Sequence, residues 1–132
     1  MFGKNGNNFI KTMIKLSETK KELKVVCDQI GSPTYTVDLS VLVADMINTS
    51  KYGIYHATNE GFVSWADFAR KIFSKIGKDI KVYDVSTEEY GAKAARPKNS
   101  RLDKSELIIN GFHNLPPWED ALDRYLVELN YI

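Results

Sequence analysis

A basic loop in the second half of the chain holds the side chains best suited to bind an anion. Arg96 stands directly before Pro97, within a stretch of small and basic residues from Gly91 to Arg101. Its planar guanidinium can present a two-pronged hydrogen-bond donor to a phosphate group. The same loop supplies further positive charge and neutral hydrogen-bonding groups, from Lys98, Asn99, Ser100 and Arg101. The residue types predict a phosphate site, although a solvated basic loop is the simpler interpretation and stays open.

A second polar stretch follows a predicted buried strand. Leu23–Cys27 is apolar and β-branched enough for a strand, and Gly31 with Pro33 interrupts any continuation of its hydrogen-bonded ladder. Polar side chains then project beyond the carboxyl end of this strand, from Asp28, Gln29, Ser32 and Thr34. In open α/β sheets this position is the usual ligand crevice. A function for this corner depends on whether the Arg96 loop comes to the same place.

Apolar residues at helical spacing predict the elements that must position these two stretches. Asn7 or Asn8 can cap the first helix, Asp38 the second, Ser64 the third and Asp103 the fourth. The five predicted helices cover residues 9–16, 39–47, 65–76, 104–110 and 118–129. A further helical turn is indicated at 87–90. The three predicted strands cover residues 23–27, 54–57 and 80–85. We therefore expect an α/β fold with short strands and about five helices.

Composition limits the class of protein and its partners. The 132 residues are 43% hydrophobic and 27% charged, which is typical of a single soluble domain with one core. The net charge of +1 and the lack of a basic run interleaved with aromatic residues argue against a nucleic-acid partner. The sequence shows neither a signal-peptide pattern nor an apolar run of about 18 residues. We expect no membrane segment and a cytoplasmic location.

Several enzyme motifs are missing. Gly3 and Gly6 do not form a G-x-G-x-x-G sequence, and no strand precedes them. No phosphate-binding loop of the G-x-x-x-x-G-K-[ST] type and no G-x-S-x-G elbow is present. No tyrosine has a lysine four residues later. Tyr90 comes closest, but Lys93 follows it by three residues. The sequence therefore predicts neither a cofactor site nor a catalytic residue.

The isolated histidines, cysteine and tryptophans do not indicate a reactive centre. His56 and His113 lie in separate regions without metal-ligand spacing, so no metal site is predicted. Cys27 has no partner for a disulfide and is expected to be a small buried side chain. Trp65 and Trp118 fall at helical spacing, and we expect both to belong to the core rather than to a stacking platform.

Taken in order, five motifs resemble the C-terminal half of dTDP-4-dehydrorhamnose reductase, a family of extended short-chain dehydrogenases. The resemblance runs from about residue 3 to residue 129. The motifs are Gly6-Asn7-Asn8-Phe9, Asp28-Gln29-Ile30-Gly31-Ser32-Pro33-Thr34, Tyr55-His56-Ala57-Thr58-Asn59, Arg96-Pro97-Lys98-Asn99-Ser100-Arg101-Leu102 and Leu115-Pro116-Pro117-Trp118. Members of this family reduce the 4-keto sugar of a dTDP nucleotide with NADH or NADPH, on the route to dTDP-L-rhamnose.

The resemblance implies that residues 1–132 are a single unit that forms the substrate-binding part of such an enzyme. The family's cofactor loop and catalytic residues lie in an N-terminal dinucleotide-binding domain that these residues do not include. The residues expected to approach the dTDP-sugar are Asn7, Asn8, Gln29, Gly31, Pro33, Thr34, Arg96, Asn99 and Ser100. A helix N-terminus at Asn8 and a fixed cationic fork at Arg96 both suit a diphosphate. We expect no bound NADPH or NADH and no reductase activity from this chain alone.

The resemblance also bears on partners. In the family, the strand at Tyr55–Ala57 joins a sheet built mostly by the other half, so apolar surfaces here lose their cover and a dimer is expected. Some reductases of this type hold Mg²⁺ at a dimer contact, where Glu128 would be the acidic residue. An alternative is a non-catalytic module similar to the regulatory subunit of methionine adenosyltransferase. A fragment of a longer gene without activity of its own is a third possibility.

Overall fold

The computed structural model describes all residues from 1 to 132 and contains six helices and six short strands. The helices are α1 (Phe9–Ser17), α2 (Thr36–Ile47), α3 (Trp65–Lys75), α4 (Thr87–Tyr90), α5 (Ser105–Ile109) and α6 (Trp118–Glu128). The strands are β1 (Glu22–Val26), β2 (Ile30–Gly31), β3 (Asn59–Glu60), β4 (Val63–Ser64), β5 (Lys81–Val85) and β6 (Leu115–Pro117). The predicted α/β class is confirmed, and the sixth helix is the short α4, where the sequence indicated only a turn.

The strands form three separate pairs rather than one sheet. Strands β1 and β5 run parallel, β2 and β4 run antiparallel, and β3 and β6 run parallel. The predicted strand over Ile54–Ala57 is wrong, because these residues pair with no other strand. A strand is defined by the ladder it makes with a neighbour, and an apolar run without one stays irregular. Pairing in this region begins only at Asn59, with Leu115.

The main core lies between α3, the β1–β5 pair, α1 and α6. Helix α3 is capped by Ser64, whose hydroxyl accepts a hydrogen bond from the Asp67 N–H at 3.0 Å, as predicted. Its inner face and that of α6 are fully enclosed, with Ile72, Phe73, Leu122, Tyr125 and Leu126 at or below 2% exposure. A smaller second core packs beneath α2 and is formed by Leu42, Leu107, Phe112 and Leu115. None of the six helices combines the length and apolar character needed to span a bilayer.

The N-terminal segment, which precedes the first predicted element, is part of this core. Phe2 is only 4% exposed, and its ring stacks on Tyr35 at a centroid distance of 5.3 Å. Its backbone N–H donates to the Thr34 carbonyl, and its carbonyl accepts from the Thr36 N–H. The sequence interpretation missed this because the flanking glycines and asparagines hide a single large apolar residue.

Asn8 joins three parts of the chain. Its side-chain oxygen caps α1 by accepting from the Lys11 N–H at 3.1 Å, which confirms the predicted cap. Its amide nitrogen donates to the Tyr125 hydroxyl at 2.8 Å and to the Gly3 carbonyl at 3.2 Å. The Tyr125 hydroxyl in turn donates to the same carbonyl. The N-terminal segment, α1 and α6 are thereby held together by one small polar cluster inside the core.

The predicted role of Asp38 as a helix cap is wrong. Helix α2 begins at Thr36, so Asp38 lies inside its first turn. Both oxygens of Asp38 accept hydrogen bonds from the guanidinium of Arg124 on α6, at 2.8 Å each. The fully buried Asn59 completes the group by donating to Asp38 at 2.6 Å and to the Pro116 carbonyl at 2.9 Å. A long-range partner has replaced the local cap that the sequence suggested.

This arrangement keeps Asp38 ionised. Burial raises the pKa of its carboxyl, but the hydrogen bonds from Arg124 and Asn59 outweigh burial and hold the pKa below its ordinary value. A group whose pKa is depressed in the folded state stabilises the fold above its unfolded pKa of about 3.9. That contribution is lost as the pH falls through the lower, folded value.

We expect Asp38→Asn to lower the free energy of unfolding at pH 7 by about 2 kcal/mol, because the Arg124 guanidinium loses its charged partner. The difference in free energy of unfolding between the variant and the unchanged protein should shrink as the pH is lowered from about 4, because protonation of Asp38 removes the same interaction from the unchanged protein. Urea denaturation at pH 7 and at stepwise lower pH measures both effects.

Asp120→Asn serves as the matched control for this experiment. Asp120 also pairs with Arg124, at 2.8 Å, but its side chain is 54% exposed. Exposed pairs contribute about 0–1 kcal/mol, so this change should cost far less than Asp38→Asn. Equal losses in the two variants, or a deficit in Asp38→Asn that does not change with pH, would contradict the assignment.

Candidate functional site

The corner after β1 and the Arg96 loop meet at Ile30, as the functional prediction required. The Ile30 N–H donates to the Lys98 carbonyl and the Ser100 N–H donates to the Ile30 carbonyl, both at 2.8 Å. Asn99 thereby forms a parallel bridge with Ile30. On the other side, Ile30 in β2 pairs with Ser64 in β4. The two stretches are thus neighbours, with the loop bridged through Asn99 to one edge of the β2–β4 pair.

A cleft of about 250 Å³ lies along this arrangement. Its lining combines the corner, the residues around β4 and the basic loop, and comprises Met1, Gln29, Ile30, Gly31, Ser32, Pro33, Thr58, Val63, Ser64, Trp65, Phe68, Arg96, Pro97 and Ser100. Five of the nine predicted site residues are therefore brought together here, namely Gln29, Gly31, Pro33, Arg96 and Ser100. Their contact with a ligand stays a prediction.

The other four predicted residues lie elsewhere. Asn7 and Asn8 border a separate, more open hollow of about 440 Å³ beside the N-terminal segment, and the polar atoms of Asn8 are already used within the fold. Thr34 is 4% exposed, and its hydroxyl donates to the Ser32 carbonyl. The Asn99 side chain accepts from the N–H and Nε of Arg101 rather than facing the cleft. The fold thus gives the side chains of Asn8, Thr34 and Asn99 internal partners, whereas Asn7 is exposed at the second hollow.

Arg96 is the one basic residue of the cleft lining, and the fold leaves it without a partner. It is exposed, lines the cleft and makes neither an ion pair nor a side-chain hydrogen bond. Lys98, by contrast, lies 2.9 Å from Glu88 and 3.2 Å from Asp28. The hydrogen bonds that Lys98 donates to Glu88 and Asp28 raise its pKa, so its charge is retained but balanced. Of the two, Arg96 is the residue available to an anionic ligand.

Helix α4 holds the corner in place. The N–H and hydroxyl of Thr87 both donate to Asp28 Oδ1, at 2.9 and 2.7 Å. This hydroxyl bond is the largest influence on the pKa of Asp28; burial opposes it, and with the Thr87 backbone N–H and Lys98 the net effect lowers the pKa. Gln29, 9% exposed, donates from Nε2 to the Thr87 hydroxyl at 3.2 Å. Its side-chain oxygen has no partner in the fold and stays free for a ligand.

Two residues of the cleft were missed at the level of sequence. Trp65 was expected in the core, yet it is 39% exposed and lines the cleft. The hydroxyl oxygen of Thr58 is buried at the cleft and has no hydrogen-bond partner. The signal for Trp65 was its position directly after the cap Ser64, at the start of α3, where a side chain reaches beyond the packed face. Thr58 stood within the motif Tyr55–Asn59, but it was given no role there.

The fold and the cleft together define a small α/β domain that presents a polar, partly aromatic hollow with one free cation. Residues 1–131 match the family model described as the RmlD substrate binding domain. The chain belongs to this family.

Relatives of known structure or curated description agree. The chain is 52% identical to dTDP-4-dehydrorhamnose reductase from Bacillus anthracis, solved in complex with NADP; it superposes with a TM-score of 0.93 over 96% of the chain and 45% of that protein. The chain is 43% identical to the orthologue from Clostridium acetobutylicum. It superposes on that structure with a TM-score of 0.93 over 98% of the chain and 47% of the orthologue. The spore coat polysaccharide biosynthesis protein SpsK of Bacillus subtilis is 44% identical over 97% of this chain and 44% of its own length. The chain thus spans about half the length of these relatives.

The residues present do not fit a nicotinamide dinucleotide. A dinucleotide pyrophosphate rests on a glycine-rich turn between a parallel strand and a helix. Here the glycines before α1 follow only an isolated bridge at Phe2, and the turn after β1 contains the single glycine Gly31. No group of three potential metal ligands is present either. Glu128, the expected Mg²⁺ residue, accepts a hydrogen bond from the Tyr35 hydroxyl at 2.7 Å.

Proposed function

We propose that the cleft binds the diphosphate-bearing part of a dTDP-sugar, and that the chain is the substrate-binding portion of a dTDP-4-dehydrorhamnose reductase. The observation that carries this proposal is Arg96, a guanidinium without an internal partner at the edge of a polar cleft. The names of the relatives supply the identity of the nucleotide and of the sugar.

The physical case rests on unsatisfied hydrogen-bonding capacity. A guanidinium binds a phosphate through two parallel charge-assisted bonds, which are about twice as strong as neutral ones. The cleft adds the free oxygen of Gln29 and the unpartnered hydroxyl of Thr58. Buried polar groups normally have partners, so an unpaired hydroxyl at a cleft is expected where a ligand or water binds. These groups would hold the ligand, while Gly31 and Pro33 shape the wall next to it.

Reduction of the sugar requires chemistry that these residues do not supply. The chain lacks a dinucleotide turn and a tyrosine–lysine pair, and the solved reductases of the family are about twice as long. We therefore infer that the purified 132-residue chain does not reduce a dTDP-4-keto-6-deoxy sugar with NADPH or NADH. Following NADPH oxidation in the presence of this substrate tests the inference, and clear turnover would contradict it.

Arg96→Gln should weaken binding of dTDP about tenfold, because the variant loses the charged fork but keeps a side chain of similar length. Isothermal titration of the full 132-residue chain with dTDP measures the change. The affinity of the unchanged protein should fall as salt is raised, and that of the variant should fall less, since one screened charge has been removed.

Arg101→Gln is the matched control. Arg101 lies in the same loop, but its guanidinium sits over the Phe62 ring at 5.7 Å and does not line the cleft. The control removes the same charge and should change the affinity for dTDP less than twofold. Equal weakening by both variants would show a general charge effect and no phosphate site at Arg96.

We also propose that the chain associates with itself through α2. Only Leu42 of this helix is buried, whereas Val41 and Ile47 are 58% and 75% exposed, and Ile54 beyond it is 87% exposed. Exposed apolar surfaces of this kind are typical of protein contacts. Because Ile54–Ala57 pairs with no strand, the same side also carries unpaired backbone.

Light scattering at high micromolar concentration should therefore give a dimer, and Val41→Glu combined with Ile47→Glu should shift it to the monomer. Tyr90→Glu, on α4 and 59% exposed, is the control and should leave the dimer intact. A monomeric unchanged protein would rule out this association. Mg²⁺ at Glu128 stays a prediction and would need further ligands from a second copy, because this chain supplies one carboxylate there.

A further inference from the structure

Trp65 differs from every other apolar residue on the inner side of α3. Ala66, Phe68, Ala69 and Ile72 are at most 2% exposed, whereas Trp65 is 39% exposed. Its indole contacts the Phe9 ring, with centroids 4.7 Å apart and an interplanar angle of 51°. Phe9 packs in turn on Phe68, which follows Trp65 by three residues and also lines the cleft. Part of the indole is thus anchored, and the part that stays exposed lines the cleft.

The second tryptophan shows what a purely structural position looks like in this fold. Trp118 is 6% exposed and meets the edge of Phe68 at an interplanar angle of 88°. Apolar surface left in water forfeits about 25 cal/mol per Å². An anchored indole that keeps two-fifths of its surface exposed at the cleft gains that energy only when another surface covers it.

We propose that Trp65 is the stacking wall for the planar base of the nucleotide whose diphosphate is bound by Arg96. The inference rests on the proposed function and deepens it by placing the base. A planar heterocycle matches an indole better than a phosphate or an ammonium group does, because stacking needs two flat, polarisable surfaces. The two ends of the cleft then divide the ligand, with the aromatic residue taking the base and the cation taking the diphosphate.

Gln29 adds a polar group beside this wall. Its Nε2 is committed to the Thr87 hydroxyl, so the orientation of the amide is fixed and the oxygen remains as an acceptor in the cleft. Pyrimidines such as thymine and uracil carry a ring N–H that can donate to such an oxygen. Small-ligand sites are mostly apolar and contain a few polar groups that orient the ligand. One ring that covers the base and one acceptor that orients it fit this description.

The experiment measures the affinity of the full 132-residue chain for dTDP and for inorganic pyrophosphate, before and after Trp65→Leu. Removing the ring should weaken dTDP binding about tenfold, as expected for loss of one base–aromatic stack. Pyrophosphate has no base, so its affinity should be unchanged by Trp65→Leu and should fall in Arg96→Gln. Trp65→Phe keeps a smaller ring and should weaken dTDP only two- to threefold.

Phe62→Leu is the matched control, because Phe62 is an exposed aromatic residue of the same region, at 50%, that does not line the cleft. It should leave the affinity for dTDP unchanged. Tryptophan fluorescence gives a second readout on the unchanged protein: dTDP should quench the emission, and the quenching should be lost in Trp65→Phe, which retains only the buried Trp118. This readout decides the matter even if Trp65→Leu fails to fold.

The possible results separate the two proposals. If dTDP binds in an Arg96-dependent manner but neither the fluorescence nor the Trp65 variants respond, the stacking wall is wrong and the proposed function stands. If Trp65→Leu lowers the affinity for a dTDP-hexose but not for dTDP, the indole covers the sugar and the assignment to the base is overturned. If dTDP and pyrophosphate both fail to bind at millimolar concentration, the proposed function and the stacking wall fall together.

Discussion

The candidate site depends on the backbone of a single residue, Ile30. Its N–H and carbonyl bind the strand-like stretch around Asn99, and its other edge pairs with β4. The loop that carries Arg96 has no helix or regular sheet of its own, so these two backbone bonds determine where it lies. Backbone pairing of this kind does not depend on side-chain identity, and the loop can therefore keep its position while its exposed residues serve a ligand.

A second constraint holds the supporting elements together. Asn59, Asp38 and Arg124 link the residues before α2, the short β3–β6 pair and α6 through charged hydrogen bonds. The buried amide of Asn59 uses its oxygen and its nitrogen, so the network leaves no polar atom of that side chain unpaired. Fully satisfied buried networks of this kind favour one packing over alternatives. The three strand pairs do not join into one large sheet. In this domain the buried network links the elements that such a sheet would otherwise connect.

Part of this structure follows from local patterns. Apolar spacing and caps correctly predicted α1, α3 and α6, and the Gly31–Pro33 corner was found from its position after an apolar strand. The residues that escaped prediction share a physical cause, which is a partner distant in sequence. Asp38 looks like a cap until Arg124 arrives from α6, and Ile54–Ala57 looks like a strand although no neighbour pairs with it. Trp65 has the spacing of a core residue, and only the shape of the cleft shows that it stays exposed.

The contact between Gly3 and Tyr125 has a consequence for the order in which the core forms. The hydroxyl and the carbonyl that it joins are separated by 122 positions, and Phe2 packs against the ring of the same tyrosine. Contacts between such distant segments form late, because the entropy of closing a long loop must be offset first. The ring of Phe2 can pack on Tyr35 early, but the side that faces Tyr125 stays uncovered until α6 has docked.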